Sequence, residues 1–126
     1  MDDWRFLVGT RANVLLEGDD RAIARVVTVL TPHLQSPIQA CPRWTPQGVP
    51  DEGTIILCAV ESLSADEQQN LLVWLDGAGS QVQVVTSVSS PLFRRVTAGK
   101  FLDSLYYRLN TLYITADDAL SIAGAS

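Results

Sequence analysis

The segment GTIILCAVESL, residues 53–63, decides how the rest of this sequence is interpreted. The Ile-Ile-Leu run at positions 55–57 follows Gly53, and a branched apolar run of this length is typical of a strand covered on both faces. In open α/β sheets, ligands bind at the carboxyl ends of the strands. At that end this strand offers only Cys58 and Ala59. The sequence therefore predicts a buried strand whose end carries no acid or base.

Length and composition limit the class of protein. The chain has 126 residues, of which 47% are hydrophobic and 18% are charged, so we expect one globular domain over residues 1–126. The net charge of -5 disfavours a nucleic-acid surface, because such a surface needs clustered Lys and Arg. No apolar run approaches the roughly 20 residues of a membrane span, and no signal peptide is recognisable. We therefore expect a cytoplasmic protein that binds neither membrane nor nucleic acid.

The first predicted β-α unit lies near the start of the chain. An apolar run at residues 13–17 predicts a strand that Gly18 closes. Asp19 and Asp20 follow, and Asp is a favoured N-cap residue. Apolar residues then recur at helical spacing until Pro32, which cannot continue a helix.

The remaining elements alternate in the same way. A capping box, Ser64 to Glu67, predicts a helix after the opening strand, because these two side chains satisfy each other's backbone amides. The pair Ser90-Pro91 predicts the N-cap and first position of a later helix. Further segments are a loop at 42–53, strands at 38–41, 81–88 and 111–115, a short helix at 101–109, and a tail at 116–126 that adds a turn of helix or frays. Together these elements predict an α/β three-layer sandwich with a mainly parallel five-stranded sheet.

Two segments carry a family resemblance. GTIILCAVESLSADEQQNLLVWL at 53–75 and SSPLFRRVTAGKFLDSLYYRLN at 89–110 resemble the AAA+ ATPase domain of sigma-54-dependent transcriptional activators. The resemblance covers residues 13–115, and AGKFLDSLYYRLN is its most specific part. It implies a P-loop NTPase core with strand order 5-1-4-3-2. The family's helical lid and its sigma-contacting loop have no counterpart in this sequence, where residues 43–52 span the position of that loop.

The resemblance implies a phosphate loop after the first strand, and this loop is shortened. The chain runs from Gly18 through Asp19 and Asp20 directly into the helix, without the Lys that such a loop requires. Two carboxylates at this helix start repel a triphosphate, whereas they suit the helix dipole. We expect structural capping by both aspartates and no ATP or magnesium as cofactor.

The other ATPase-site positions that the resemblance implies are also changed. Cys58 and Ala59 stand where the family has a magnesium-binding Asp and a water-activating Glu. Glu61 lies two residues further on, where we expect a solvated or capping carboxylate rather than a substitute. Ser89 occupies the place of the sensor Asn. Of two arginines offered to a neighbouring subunit, only Arg108 is matched. We interpret it either as a surviving trans arginine or as a structural residue paired with Asp103 or Asp117.

Side chains outside these motifs predict little chemistry. One His and the two thiols, Cys41 and Cys58, lack the spacing of a zinc site, and both cysteines are expected as reduced thiols in apolar strands rather than nucleophiles. No metal site is predicted. Trp44, Tyr106 and Tyr107 are candidates for an exposed aromatic surface. Trp44 is a candidate interface residue, with packing over the sheet edge as its alternative.

Two functions remain open at this point. The first is a non-catalytic regulatory domain that binds a protein partner, such as an AAA+ transcriptional activator or a second copy of itself, and so acts in transcription regulation. The alternative is a working ATP-binding activator domain with an unorthodox nucleotide site. The changed motif residues favour the first, so we predict that the chain is not an enzyme.

Overall fold

A five-stranded sheet forms the centre of the protein. The structure, a computed structural model, describes residues 12–45 and 52–124, except for the side chains of residues 121–124. All four strand pairs are parallel, and the strand order is β2-β3-β4-β1-β5. Read from the other edge, this is the predicted order, so the α/β fold and its topology are confirmed. The strands are β1 Val14–Glu17, β2 Ile38–Cys41, β3 Thr54–Leu57, β4 Gln83–Val88 and β5 Leu112–Thr115.

Helices connect or follow these strands. Short 3-10 turns lie at Thr31–His33, Val60–Ser62 and Ala78–Gln81. The α-helices of the described chain are α1 Asp20–Leu30, α2 Ala65–Asp76, α3 Phe93–Thr97, α4 Asp103–Leu109 and α5 Ala116–Gly124.

The sheet separates two hydrophobic cores, which gives the protein three layers. On one face, Leu71 of α2 and Leu105 of α4 pack over the strands with the other members of that core. On the opposite face, Val26 of α1 and Ala119 of α5 belong to a second core. Fully burying a Leu or Val side chain contributes roughly 1.5–3 kcal/mol, so these two clusters hold the helices on the sheet.

Local capping fixes where the two longest helices begin. The Asp19 carboxylate accepts a hydrogen bond from the Ala22 amide at 2.7 Å, so Asp19 is the N-cap of α1. The Ser64 hydroxyl accepts from the Glu67 amide, and the Glu67 carboxylate accepts from the Ser64 amide, at 3.2 and 2.8 Å. The predicted capping box of α2 is therefore present.

Gly53 permits the turn into β3. Its φ is +87°, and a Cβ there would lie 2.1 Å from the carbonyl oxygen of Pro37. The next amide, that of Thr54, donates to the same oxygen at 3.0 Å. Only glycine meets both requirements, which explains why the opening segment begins with this residue.

Two local predictions are wrong, and a third segment is resolved between its two alternatives. β4 begins at Gln83, because Gln81 belongs to a 3-10 turn. Ser90 is not the N-cap of α3, which starts at Phe93 without a side-chain cap, since the Arg94 amide bonds to the Pro91 carbonyl in a preceding turn. The segment after β5 takes the helical one of its two expected forms, and within the described residues this helix, α5, is longer than the single turn that was expected.

The start of α5 explains this last difference. The amide of Asp118 donates to the Thr115 hydroxyl at 3.2 Å, and both Ala116 and Ala119 are buried against the sheet. A capped first turn and two buried small residues stabilise a helix that periodicity alone did not indicate. In the part of the chain that the structure describes, no helix has the length and apolar character to cross a membrane.

Candidate functional site

The carboxyl ends of three neighbouring strands meet in a cleft of about 730 Å³. Gly18 follows β1, Cys58 and Ala59 follow β3, and Ser89 follows β4. The cleft therefore brings together most of the positions that the sequence analysis assigned to a changed phosphate loop, a changed magnesium-binding pair and a changed sensor. Its lining is completed by Asp20, Ile23, Ala24, Val27, Ala40, Ile56, Glu61, Ser62, Ser87 and Val88.

The start of α1 is already occupied by its own cap. Asp19 accepts the Ala22 amide with its side chain and the Ile23 amide, at 2.9 Å, with its backbone carbonyl. The amide of Gly18 donates to the Val88 carbonyl at 3.0 Å. A phosphate loop needs free amides at this helix end. Three of the nearby amides instead have protein acceptors.

Gly18 is further restricted by α5. A Cβ on this residue would lie 2.6 Å from the Cβ of Ala116, the first residue of α5. Real Cβ atoms do not approach so closely, and both partners are held by the packing around them. Glycine is thus required here by close contact with α5 rather than by a bound phosphate.

The end of β3 is a tight turn without a carboxylate. Ala59 has φ +56°, in the left-handed region that non-glycine residues rarely adopt. Its carbonyl accepts the amide and the hydroxyl of Ser62, at 3.0 and 2.7 Å. Neither Cys58 nor Ala59 can coordinate magnesium or polarise water as the family's acidic pair does.

The two cysteines differ in their surroundings. Cys41 is buried in β2, whereas Cys58 follows β3, is half-buried and lines the cleft, so the prediction of two thiols within strands is wrong for Cys58. Burial, followed by the neighbouring Cys58, raises the pKa of the Cys41 thiol. A raised pKa opposes thiolate formation, which makes Cys41 a poor nucleophile.

Glu61 has a partner across the cleft. One oxygen of its carboxylate accepts the Ser89 amide at 2.9 Å and the Ser89 hydroxyl at 3.2 Å. This bond joins the segment after β3 to the segment after β4. The sequence indicated a capping role for Glu61 but not this partner, since a contact over 28 positions has no local signal.

The charge of the cleft disfavours polyphosphate. Among the described residues that line it, Asp20 and Glu61 are acidic, and none is Lys, Arg or His. Two like charges near a triphosphate repel it most strongly where walls exclude water. In the same described part of the chain, no group of three His, Cys, Asp or Glu side chains could hold a metal ion.

Arg108 lies away from the cleft, on α4. Its guanidinium forms an ion pair with Asp76 of α2 and donates to the Leu75 carbonyl at 3.2 Å. The structural interpretation of Arg108 thus has support, but the expected partners Asp103 and Asp117 are not the ones used. Both side chains of the pair remain about half exposed.

Trp44 requires a correction. Its side chain is only 2% exposed and its ring lies 5.3 Å from that of Trp74. An exposed interface at Trp44 is therefore not present, and the packing alternative is the one observed. The sequence could not distinguish the two, because Trp74 is 30 positions away.

Comparison with known proteins decides the family. A family model described as the sigma-54 interaction domain matches residues 29–117, well over half of the chain. The chain belongs to this family. The match begins within α1 and so leaves out β1 and the segment Gly18 to Asp20. A comparison with curated proteins finds no match.

Solved structures support the fold. This sigma-54 interaction domain is similar to NtrX from Brucella abortus, with a TM-score of 0.69 at 16% identity over 89% of this chain and 34% of NtrX. NtrX in complex with ATP gives 0.67 at 17% identity, over 89% and 33% of the two chains. The complex with ADP gives 0.65 at 16% identity, over 89% and 35%. The domain thus spans about a third of the NtrX chain.

Proposed function

We propose that this sigma-54 interaction domain is a regulatory module that binds a protein partner and neither binds nor hydrolyses ATP. The observation that carries the proposal is the capped start of α1. Asp19 takes the Ala22 amide at 2.7 Å, and Asp20 adds a second carboxylate beside it. A γ- or β-phosphate at this position meets negative charge and amides that already have acceptors.

The other side of the cleft supports the same conclusion. Catalysis of phosphoryl transfer depends on a metal ion and a positioned water. The residues after β3 offer a thiol and a methyl group, and the nearest carboxylate, Glu61, is engaged by Ser89. A domain with these side chains keeps the scaffold of an ATPase without its means of stabilising charge.

The proposed role is control of transcription by protein contact. Family membership supports a place in sigma-54-dependent regulation, and the partner we propose is an AAA+ activator subunit or a second copy of this domain. The domain acts on the assembly or the activity of that partner. Magnesium and ATP are not cofactors of the domain itself.

A second function is favoured by one observation. The cleft has the volume of a ligand site and lies at the carboxyl ends of parallel strands. NtrX, which is similar to this domain in fold, is solved in complex with ATP and with ADP. In this alternative the domain binds ATP in an unorthodox way.

Calorimetry with ATP and magnesium tests the two against each other. We expect no binding heat, no rise in melting temperature and no phosphate release. A Kd in the low micromolar range would refute the non-catalytic function. The matched control is Asp19→Asn with Asp20→Asn, which keeps a capping side chain at position 19, the N-cap of α1, while it removes both charges. If only this variant gains weak affinity for ATP, charge repulsion is the reason for exclusion.

A separate measurement tests the proposed binding of a protein partner. Size-exclusion chromatography with light scattering gives the mass of the domain alone and when mixed with a sigma-54 activator ATPase. We expect a complex in the mixture or a multiple of the 13.7 kDa chain mass for the domain alone. A strictly monomeric domain that leaves both the elution and the ATPase rate of the activator unchanged would contradict the proposed binding.

A further inference from the structure

Three aromatic rings contact each other on the surface formed by α3 and α4. The ring of Phe93 lies 5.8 Å from that of Tyr106, which lies 5.3 Å from that of Tyr107. We call these three residues the aromatic patch. Phe93 is 53% exposed and Tyr107 is 65% exposed. Exposed single apolar residues are ordinary, but a cluster in mutual contact is typical of an interaction site.

Buried residues of α4 and one hydrogen bond hold the aromatic patch in place. Leu105 and Leu109 of α4 are fully buried in the core, which fixes the opposite side of this helix. The hydroxyl of Tyr106 accepts a hydrogen bond from the Asn110 side chain at 3.0 Å. A surface that is ordered before binding loses little conformational entropy when a partner arrives.

Exposed cations lie in the same segment of the chain as the aromatic patch. Arg94 and Arg95 follow Phe93 in α3, and Lys100 lies between α3 and α4. All three are exposed, and within the described residues none of them forms an ion pair. Residues 91–110 contain four basic residues and one acidic residue, Asp103, in a chain whose net charge is -5. The segment that carries the aromatic patch is thus basic within an acidic chain, and three of its four cations, all but Arg108, remain outside the ion pair with Asp76.

We propose that the aromatic patch and its three cations bind an acidic protein segment that carries an apolar side chain. The rings receive the apolar side chain, and Arg94, Arg95 and Lys100 pair with the carboxylates around it. Aromatic residues and Arg are the types enriched at the centres of protein interfaces. The inference deepens the proposed function, on which its biological role rests, by stating where the partner binds and with what chemistry.

Nucleic acid is the other polyanion that such residues attract. Three cations are few for a phosphate backbone, and the remainder of the chain is strongly acidic, which repels a long polyanion. A short acidic peptide contacts only the local basic surface. The charge distribution therefore favours protein over nucleic acid as the occupant.

A labelled peptide tests the proposal directly. The probe is a fluorescein-labelled 12-residue peptide of Glu and Asp with one central Leu and one central Phe, and the readout is fluorescence anisotropy of the intact domain at low salt. We expect binding that weakens about tenfold in Arg94→Glu with Arg95→Glu, because two ion pairs become repulsive. Tyr107→Ser and Phe93→Ser should each weaken it severalfold.

Matched controls separate this surface from the overall charge. Arg21→Glu with Arg25→Glu changes the net charge by the same amount on the exposed side of α1 and should leave the affinity unchanged. A peptide in which Ser replaces Leu and Phe should bind more weakly than the original. Circular dichroism confirms that each variant is folded, which is expected because all four substituted arginines are exposed.

Three results would overturn the inference. These are no binding of the acidic peptide, equal weakening by the α1 control, and tighter binding of a 12-nucleotide single strand than of the peptide. ATP binding is measured at the cleft and is independent of these results. If ATP binds and the peptide also binds at the aromatic patch, the non-catalytic function fails while the docking surface stands; if neither binds, only the surface fails.

Discussion

The carboxylate of Glu61 accepts both the amide and the hydroxyl of Ser89, and this contact joins the segments that follow β3 and β4 at the cleft. The contact places the carboxylate nearest to β3 in a structural role. It also links β3 to β4 beyond their last backbone pair, Leu57 with Thr86.

Removing the Glu61 carboxylate should lower stability. We expect Glu61→Ala to reduce the free energy of unfolding by about 1 kcal/mol, since two hydrogen bonds to a partly exposed charged acceptor are lost. Glu61→Gln should cost less because its amide oxygen still accepts. Urea unfolding measures both, and Ser89→Ala completes a double-mutant cycle. Equal stabilities for wild type and Glu61→Ala would show that the contact is absent in solution.

Among these predictions, substitution of Gln68 should cause the largest loss in the free energy of unfolding. Its buried amide donates to the carbonyls of Leu63 and Lys100, both at 3.1 Å, and accepts from the Leu102 amide at 2.9 Å. Gln68→Leu leaves these backbone groups unpaired, so we expect a loss of about 2–3 kcal/mol in the free energy of unfolding. The control Gln69→Leu lies at an exposed position of the same helix. Comparable losses in the two variants would contradict the bridging role of Gln68.

The capping box of α2 gives a prediction that depends on pH. Ser64→Ala should cost about 1 kcal/mol near neutral pH, measured by thermal or urea unfolding. The pKa of Glu67 is lowered, first by the bond from the Ser64 amide and further by Arg43. Because the folded pKa is lowered, the Glu67 contribution is present above its ordinary value of 4.5 and is lost as pH falls through the folded value. Glu67→Gln should remove this acid dependence; a variant with the wild-type pH profile would argue against it.

Arg108 and Asp76 should be weakly coupled. Exposed ion pairs contribute about 0.2–1 kcal/mol, so a double-mutant cycle of Arg108→Ala and Asp76→Ala should give a coupling energy in that range. The measurement is urea unfolding at low and high salt, with the coupling smaller at high salt. If Arg108→Ala instead leaves stability unchanged and lowers the ATPase rate of an activator partner, Arg108 acts in trans.

The pKa of Tyr113 should lie above the ordinary value of a tyrosine. Burial, together with a hydrogen bond that its hydroxyl donates to Glu17, raises its pKa to about 12. The neutral form is favoured in the folded state, so this contribution to stability is intact below the ordinary pKa of 10.0 and is lost as pH rises toward 12. Ultraviolet absorbance should show one tyrosine ionising near 12, and Glu17→Gln should lower that pKa. Complete ionisation well below that pH would refute the contact.

The sheet could be predicted because its signals are local or shared with the family. Apolar runs indicate the strands, and a capping box indicates the start of α2 within four residues. The order of the strands came from the resemblance, as no rule of local sequence determines which strands are neighbours. The start of α3 was misplaced because a turn stabilised by the Pro91 carbonyl precedes the helix.

Contacts between distant segments account for what the sequence did not predict. The burial of Trp44 depends on Trp74, the pairing of Arg108 depends on Asp76, and the aromatic patch depends on Phe93 meeting Tyr106. Each of these pairs is separated by at least 13 positions, so the sequence around one partner does not indicate a contact with the other. The positions after β1, β3 and β4 lie together in the cleft because each follows the carboxyl end of a strand in one parallel sheet.

The close approach of Gly18 to Ala116 limits how the loop after β1 can be changed. A Cβ at position 18 would stand 2.6 Å from that of Ala116, so any loop built after β1 has to keep glycine at this position or displace the first turn of α5. Substitutions at Asp19 or Cys58 do not change the short distance between position 18 and Ala116. The loop after β1 and the first turn of α5 therefore constrain each other, although about 100 positions separate them in the sequence, and a substitution in one segment is limited by the packing of the other.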